Sequence, residues 1–243
     1  MGGYLRRFYR ENMHATGLVS FRVVVKESDL IILAERDLAA EARFSLLRHR
    51  EDLEGFIARQ PRFRAAFRPY EVPPGSPPVV SLMAEAAAKV GVGPMAAVAG
   101  ALAEMVGEDL EALSPEIIVE NGGDIFLRSA RERRVGVFAG ESPLSGRVSI
   151  IIPPTPPRGL GICTSSATVG PSYSAGGADS ALVVAEDAAL ADAAASALGN
   201  RAKSLEHIEE ALSSVASIAG VTGCLLIIGD RLGVQGDIEL EGI

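Results

Sequence analysis

The chain's 243 residues are enough for one large domain or two small ones, and 48% hydrophobic residues can bury a sizeable core, which excludes overall disorder. The formal net charge of −8 argues against nucleic acid as the main partner, and scarce aromatics (5%, no Trp) argue against base-stacking platforms and aromatic cages. Two cysteines without metal-ligand spacing, Cys163 and Cys224, read as buried thiols in a reducing cytoplasm and not as a disulfide framework. The N-terminal MGGYLRRFYRENM lacks an apolar signal-peptide core. No apolar run reaches the roughly 18 residues of a membrane span. A cytoplasmic protein with no membrane partner is expected.

In chain order, Leu18 to Val25 and Leu30 to Leu33 predict a hairpin around the turn residues Lys26 to Asp29. Asp37 is a candidate N-cap for a helix with apolar positions at Leu38, Ala42, Leu46, Leu53 and Ile57, a region closed by Pro61. Arg59, Arg62, Arg64 and Arg68 form a basic stretch, read as a solvated helix end and loop. The proline-rich stretch Pro69 to Pro78 reads as a connector. Two nearly all-apolar helices follow, Ser81 to Val90 and Pro94 to Met105, with Gly91 suited to a C-cap and Pro94 to a first turn.

A second hairpin is predicted from Ile117 to Leu127 around Asn121-Gly122-Gly123-Asp124. Val135 to Phe138, Val148 to Ile152 and Ala181 to Ala185 read as strands. Pro153 to Gly159 reads as a rigid loop, and Ser165 to Asp179 as a Gly/Ser-rich loop. Helices are predicted from Asp187 to Asn200 and from Ser204 to Val215, then a strand from Gly223 to Ile228, the turn Gly229-Asp230-Arg231 and a strand near Ile238. Strand pairs joined by tight turns predict an α+β fold with antiparallel sheets packed against Ala-rich helices.

Within the helix Asp187 to Asn200, Asp192 and Ser196 stand four positions apart, so a carboxylate and a hydroxyl share one face. Two hard oxygen donors suit Mg²⁺, which takes one or two carboxylates from protein and fills its remaining positions with water and phosphate. The structural alternative is a closely packed helix whose polar pair faces water. Gly91-Val92-Gly93-Pro94-Met95-Ala96 matches G-x-G-x-x-A, but a helix precedes it where the dinucleotide fingerprint needs a strand. The helix start at Pro94 still offers N–H groups to a phosphate, unless it is a plain helix break. Gly122 and Gly123 permit a tight turn and also a close backbone approach to a ligand. The three histidines, His14, His49 and His207, share no motif that indicates a zinc site or catalytic triad.

Taken together, these segments resemble the ApbE superfamily, whose best-understood members are Mg²⁺-dependent flavin transferases that use FAD to attach FMN to a protein threonine or serine. The resemblance follows chain order over roughly residues 91 to 200. It rests on Gly93-Pro94-Met95-Ala96-Ala97-Val98-Ala99-Gly100-Ala101, on Asn121-Gly122-Gly123-Asp124-Ile125 and on Ala191-Asp192-Ala193-Ala194-Ala195-Ser196-Ala197-Leu198. The chain is most similar to an uncharacterised ApbE-like family that also carries Thr164-Ser165-Ser166-x-Thr168-Val169-Gly170-Pro171-Ser172. The resemblance implies a single ApbE-like domain over 1–243, with α/β halves near 1–110 and 111–243. It assigns Gly93, Met95, Ala96, Gly100, Asn121, Gly122, Gly123, Asp124, Ser166 and Thr168 to a flavin cofactor (FAD or FMN). Asp192, Ser196 and Val98 are assigned to Mg²⁺.

The departures are specific. The lysine and tyrosine of the family's Ala-Lys-Gly-Tyr correspond to Ala99 and Ala101, and Val169 to Asp179 lacks the histidine of its His-Ile-x-Asp-Pro-x-Thr-Gly stretch. Without them no group is evident to take a proton from an incoming hydroxyl. The expectation is a protein that binds a small anionic ligand, a flavin or another phosphorylated molecule, with Mg²⁺. The alternatives are an active FMN transferase and a structural protein whose Ala-rich helices form a homo-oligomer.

Overall fold

The computed structural model describes Arg10, residues 13–166 and residues 177–242. The first predicted hairpin forms as β1 (Val19–Val25) and β2 (Ser28–Ala34), paired antiparallel around Lys26-Glu27, with Lys26 at a φ of 52°. Helix α1 (Ala39–Arg59) starts one residue later than an Asp37 N-cap requires. Leu38 holds the cap position, and Asp37 Oδ1 instead accepts the Ala39 N–H at 2.9 Å. Pro61 does not simply close the region: it opens the short helix α2 (Pro61–Ala65), a place where its missing N–H costs nothing. The basic stretch lies here, with Arg59, Arg62, Arg64 and Arg68 exposed.

Helix α3 (Pro78–Val90) starts at a proline and stops at Gly91, whose φ of 83° and N–H bond to the Ala87 carbonyl end it as anticipated. Pro94–Ala97 form a 3₁₀ turn, so the α-helix proper is α4 (Val98–Leu110). Then come β3 (Ile117–Asn121), β4 (Asp124–Arg128), β5 (Arg133–Gly136), β6 (Val148–Ile152) and β7 (Leu160–Ser165). The chain continues through β8 (Ser180–Ala185), α5 (Ala188–Arg201), α6 (Ile208–Ala216), β9 (Val221–Ile228), β10 (Arg231–Gly236) and β11 (Glu239–Gly242).

Eight strands form one antiparallel sheet in the order β1-β2-β3-β4-β7-β8-β9-β10, and β11-β6-β5 form a second, smaller one. A hairpin, a helical crossover and a second hairpin occur twice: β1–β2, α1 to α4, β3–β4, then β7–β8, α5 and α6, β9–β10. Pairing of β4 with β7 joins the two sets.

Alternation along the strands sends side chains to opposite faces of the large sheet. Ile117, Val119, Ala181, Val183, Cys224 and Leu226 join the core beneath the helices. Ile118, Leu182, Val184, Leu225 and Ile227 join a second core with Ile150 and Ile152 of the small sheet. The result is three layers, helices, large sheet and small sheet. Both cysteines are free and buried. Among the described residues no single helix is long and apolar enough to cross a membrane, and the apolar pair Pro78–Val90 and Pro94–Leu110 is bent by 106° within the core.

Small residues let α5 lie close to the sheet. A Cβ on Gly161 of β7 would overlap the Ala188 Cα and the Asp187 carbonyl oxygen. Ala188, Ala189, Ala191, Ala193, Ala194 and Ala195 are all fully buried. The helix with the predicted polar pair is therefore central, wedged between the sheet, α3 and α4.

Candidate functional site

The three motifs meet at the start of α4. Asp192 Oδ2 on α5 accepts the Ala99 N–H at 3.1 Å and the Gly100 N–H at 2.9 Å. Asn121 at the end of β3 donates from Nδ2 to the Ala99 carbonyl at 3.1 Å. Gly100 makes this approach possible, because a Cβ there would overlap the Ala188 carbonyl oxygen and stand 2.9 Å from the Asp192 Cβ.

Two expectations change as a result. Asp192 does not face water as in the packed-helix alternative: it is half-buried, with its carboxylate on the first-turn amides of another helix. Nor does Pro94 begin an α-helix with free amides for a phosphate; the 3₁₀ turn displaces that start to Val98, where Asp192 occupies the Ala99 and Gly100 donors.

Asn121 and Asp124 face each other across the β3–β4 turn, and Gly122 and Gly123 take φ values of 75° and 107° that favour glycine. Glu120 Oε1 accepts the Gly123 N–H at 2.8 Å and so braces the turn from within. Asp124 pairs with Cys163 across β4 and β7; its carboxyl group accepts from the Thr164 amide, and the Cys163 thiol beside it donates to the Ala188 carbonyl at 3.3 Å. Asp124 Oδ1 is buried without a hydrogen-bond partner.

Burial, then the charges of Asp192 and Glu120, hold the Asp124 carboxyl well above the ordinary range. Burial pushes Asp192 up to about 7, against the opposing pull of the Gly100 and Ala99 amides. Two carboxylates that resist losing their protons, one with an orphaned oxygen, are the chemistry of a place that takes a proton or a hard cation.

Ser196, one turn beyond Asp192, is half-buried and has no hydrogen-bond partner among the described residues. Val98 is the first residue of α4, and Met95 and Ala96 lie half-buried on the 3₁₀ turn that packs against α5. Gly93 is buried, and a Cβ on it would overlap the Ala66 carbonyl oxygen. Ser166 is buried just past β7, whereas Thr168 lies outside the described residues. Among the described residues no group of three or more His, Cys, Asp or Glu forms a metal cluster, so a cation here would draw on few protein ligands. His49 is not part of the site. Ser45, Arg48 and His49 converge on Asp109, and Ser45 Oγ donates to that carboxylate, so they form no Ser–His relay.

One buried acid was not anticipated. Glu104, 7% exposed on α4, accepts the Ala188 and Ala189 N–H groups at 2.8 and 3.2 Å and so caps α5 from a neighbouring helix. Burial and the Asp187 charge push it up to about 8. Its one sequence signal is that it is the lone charge among the apolar and small residues from Val98 to Gly107. Helices α4 and α5 thus exchange carboxylates: Asp192 of α5 holds the α4 amides, and Glu104 of α4 holds the α5 amides.

This fold is that of ApbE flavin transferase structures. The Pseudomonas stutzeri flavinyl transferase ApbE in its apo form matches with a TM-score of 0.58 over 90% of this chain and 94% of that one, at 14% identity. The flavin transferase ApbE of Vibrio cholerae matches at 0.52 over 90% and 96%, at 16% identity. The chain belongs to the family described as AbpE bacteria, matched over residues 10–232. Its relatives are UPF0280 proteins: that of Methanocella arvoryzae is 44% identical over 87% of this chain and 86% of its own, and that of Methanocaldococcus jannaschii 37% identical over 89% and 90%.

Proposed function

We propose that the chain binds a flavin or a closely related phosphorylated nucleotide together with Mg²⁺, at the junction of α4, α5 and the β3–β4 turn. The observation that carries this reading is the neighbouring pair of buried Asp124 and half-buried Asp192, both raised in proton affinity and without a cation from the protein among the described residues. Asp192, Ser196 and Val98 would hold the ion, with Asp124 as the second carboxylate. When bound, Mg²⁺ would neutralise pyrophosphate charge. Asn121, Gly122 and Gly123 would bring backbone close to the ligand, and Gly93 to Gly100 would shape the opposite wall, with Ser166 and Thr168 beyond β7.

Binding is favoured over flavin transfer on residue grounds. Ala99 and Ala101 stand where the transferases have lysine and tyrosine, and Ala101 is fully buried. His49 and His207 are engaged with Asp109 and Ser204. Thermal unfolding with FAD, FMN or ADP, each with and without MgCl₂, tests the reading. A ligand at 100 times its Kd adds about 2.7 kcal/mol to stability. The expected outcome is a rise with at least FAD that grows when Mg²⁺ is present. Incubation with FAD, Mg²⁺ and candidate acceptor proteins is expected to give no flavin fluorescence on a denaturing gel. A covalent flavin band would favour the transferase reading.

A further inference from the structure

Helix α1 turns an uncovered face outward near its start. Phe44 is 71% exposed, and the exposed Glu41 and Arg48, three positions before it and four after, share its side of the helix. Beside Phe44 runs a groove of about 530 Å³, walled by Ala40 of α1, by Leu110 at the end of α4 and by Leu113 just past it. Leu113 is itself 37% exposed. The two walls are tied together beneath: Ser45 Oγ donates to Asp109 at 2.6 Å, and Arg48 Nη2 donates to the same carboxylate. The Arg48 side chain is still 52% exposed, and Glu41 makes no ion pair among the described residues.

We propose that this face binds a second copy of the chain, with the two α1 helices antiparallel about a twofold axis beside Phe44. A twofold contact needs knob and hole on one surface, as Phe44 and its groove are, so each phenylalanine enters the groove of the other copy. The charges fit the same arrangement. An axis between Phe44 and Ser45 sets Glu41 of each copy opposite Arg48 of the other, which places two ion pairs around an apolar centre. Parallel helices would instead set Glu41 against Glu41 and Arg48 against Arg48. Two other surfaces are closed to this role. The Ala-rich helix α5 is enclosed, and the free edge of β1 is blocked at Val24, whose carbonyl accepts from Arg43 Nη1 at 3.0 Å.

Sedimentation equilibrium of the full chain, from about 1 to about 300 μM, tests this without any ligand. Wild type is expected to pass from monomer to dimer within that range, as a small interface does. Phe44→Ser alters an exposed side chain and leaves the core intact. It is expected to raise the dimer dissociation constant about 100-fold, because each dimer loses two anchors. Glu41→Lys sets a cation against Arg48 of the second copy and is expected to raise the constant about tenfold at low salt. High salt screens that repulsion, so the difference from wild type is expected to shrink there. A wild type still monomeric at the highest concentration overturns the inference. So does a Phe44→Ser variant that dimerises like wild type, or a Glu41→Lys variant with wild-type affinity at low salt.

Discussion

Replacing Gly100 with alanine is expected to destabilise the protein by about 3 kcal/mol, because the new methyl overlaps backbone that cannot move independently. The obstruction is the Ala188 carbonyl at the start of α5, and α5 is itself pressed against β7, where a Cβ on Gly161 would already overlap Ala188 and the Asp187 carbonyl. If α4 moves away to make room, Asp192 loses the Ala99 and Gly100 amides, so the packing strain is compounded by buried polar groups left without partners. Urea denaturation checks this, with Gly136→Ala as the control. Gly136 has open space where its Cβ would be and no positive φ, so that change is expected to stay within about 1 kcal/mol of wild type. Equal midpoints for the two variants would contradict the close contact of α4 with α5.

Glu104 should make stability fall as pH rises. Its native carboxyl is pushed up to about 8 from an ordinary 4.5 by burial and by the Asp187 charge, so the folded state holds a proton that the unfolded chain has already released. Its contribution is fully present below about pH 4.5, declines as pH rises, and levels off above about pH 8. The loss amounts to about 5 kcal/mol over that window. Glu104→Gln keeps an acceptor for the Ala188 and Ala189 amides and does not titrate, so its stability should decline less with pH and exceed that of wild type at pH 9. Glu104→Ala leaves both amides without that acceptor and is expected to cost about 1–3 kcal/mol even at low pH. Parallel pH curves for wild type and Glu104→Gln would show that Glu104 is not the titrating group.

Local chemistry made the two hairpins around Lys26 and Gly122, the Gly91 stop and the Ala-rich helix readable from sequence, because each is fixed by neighbouring residues: turn glycines, caps and apolar spacing. Strand β7 was not readable. Gly161, the residue that lets α5 settle on the sheet, also weakens the strand pattern of Leu160–Ser165, and the adjoining Gly/Ser-rich stretch obscures its end. β10 was hidden for a related reason: Gly233 and Gly236 interrupt its alternation.

The candidate site divides in the same way. Asn121, Gly122, Gly123, Asp124, Asp192 and Ser196 stand in short motifs that can be seen along the chain. Their meeting at Ala99 cannot be, since Asp192 and Ala99 are 93 positions apart and their bond exists only after folding. Spacing does put Asp192 and Ser196 on one face, but nothing local shows that one Asp192 oxygen is committed to the α4 amides. Glu104 was invisible for the same reason: it acts on a distant element and carries no motif of its own.

The carboxylates at the α4–α5 junction are expected to hold a cation for a phosphorylated ligand. Calorimetric titration of FAD into wild type and Asp192→Asn, each with MgCl₂ and with EDTA, measures this directly. Asparagine keeps an acceptor for the Ala99 and Gly100 amides while removing the charge, so folding is preserved and the cation site is not. Wild type is expected to bind FAD more tightly with Mg²⁺ than with EDTA, and Asp192→Asn to bind weakly and equally in both. A wild type that binds no FAD in either buffer, or an Asp192→Asn variant with undiminished Mg²⁺ dependence, would contradict it.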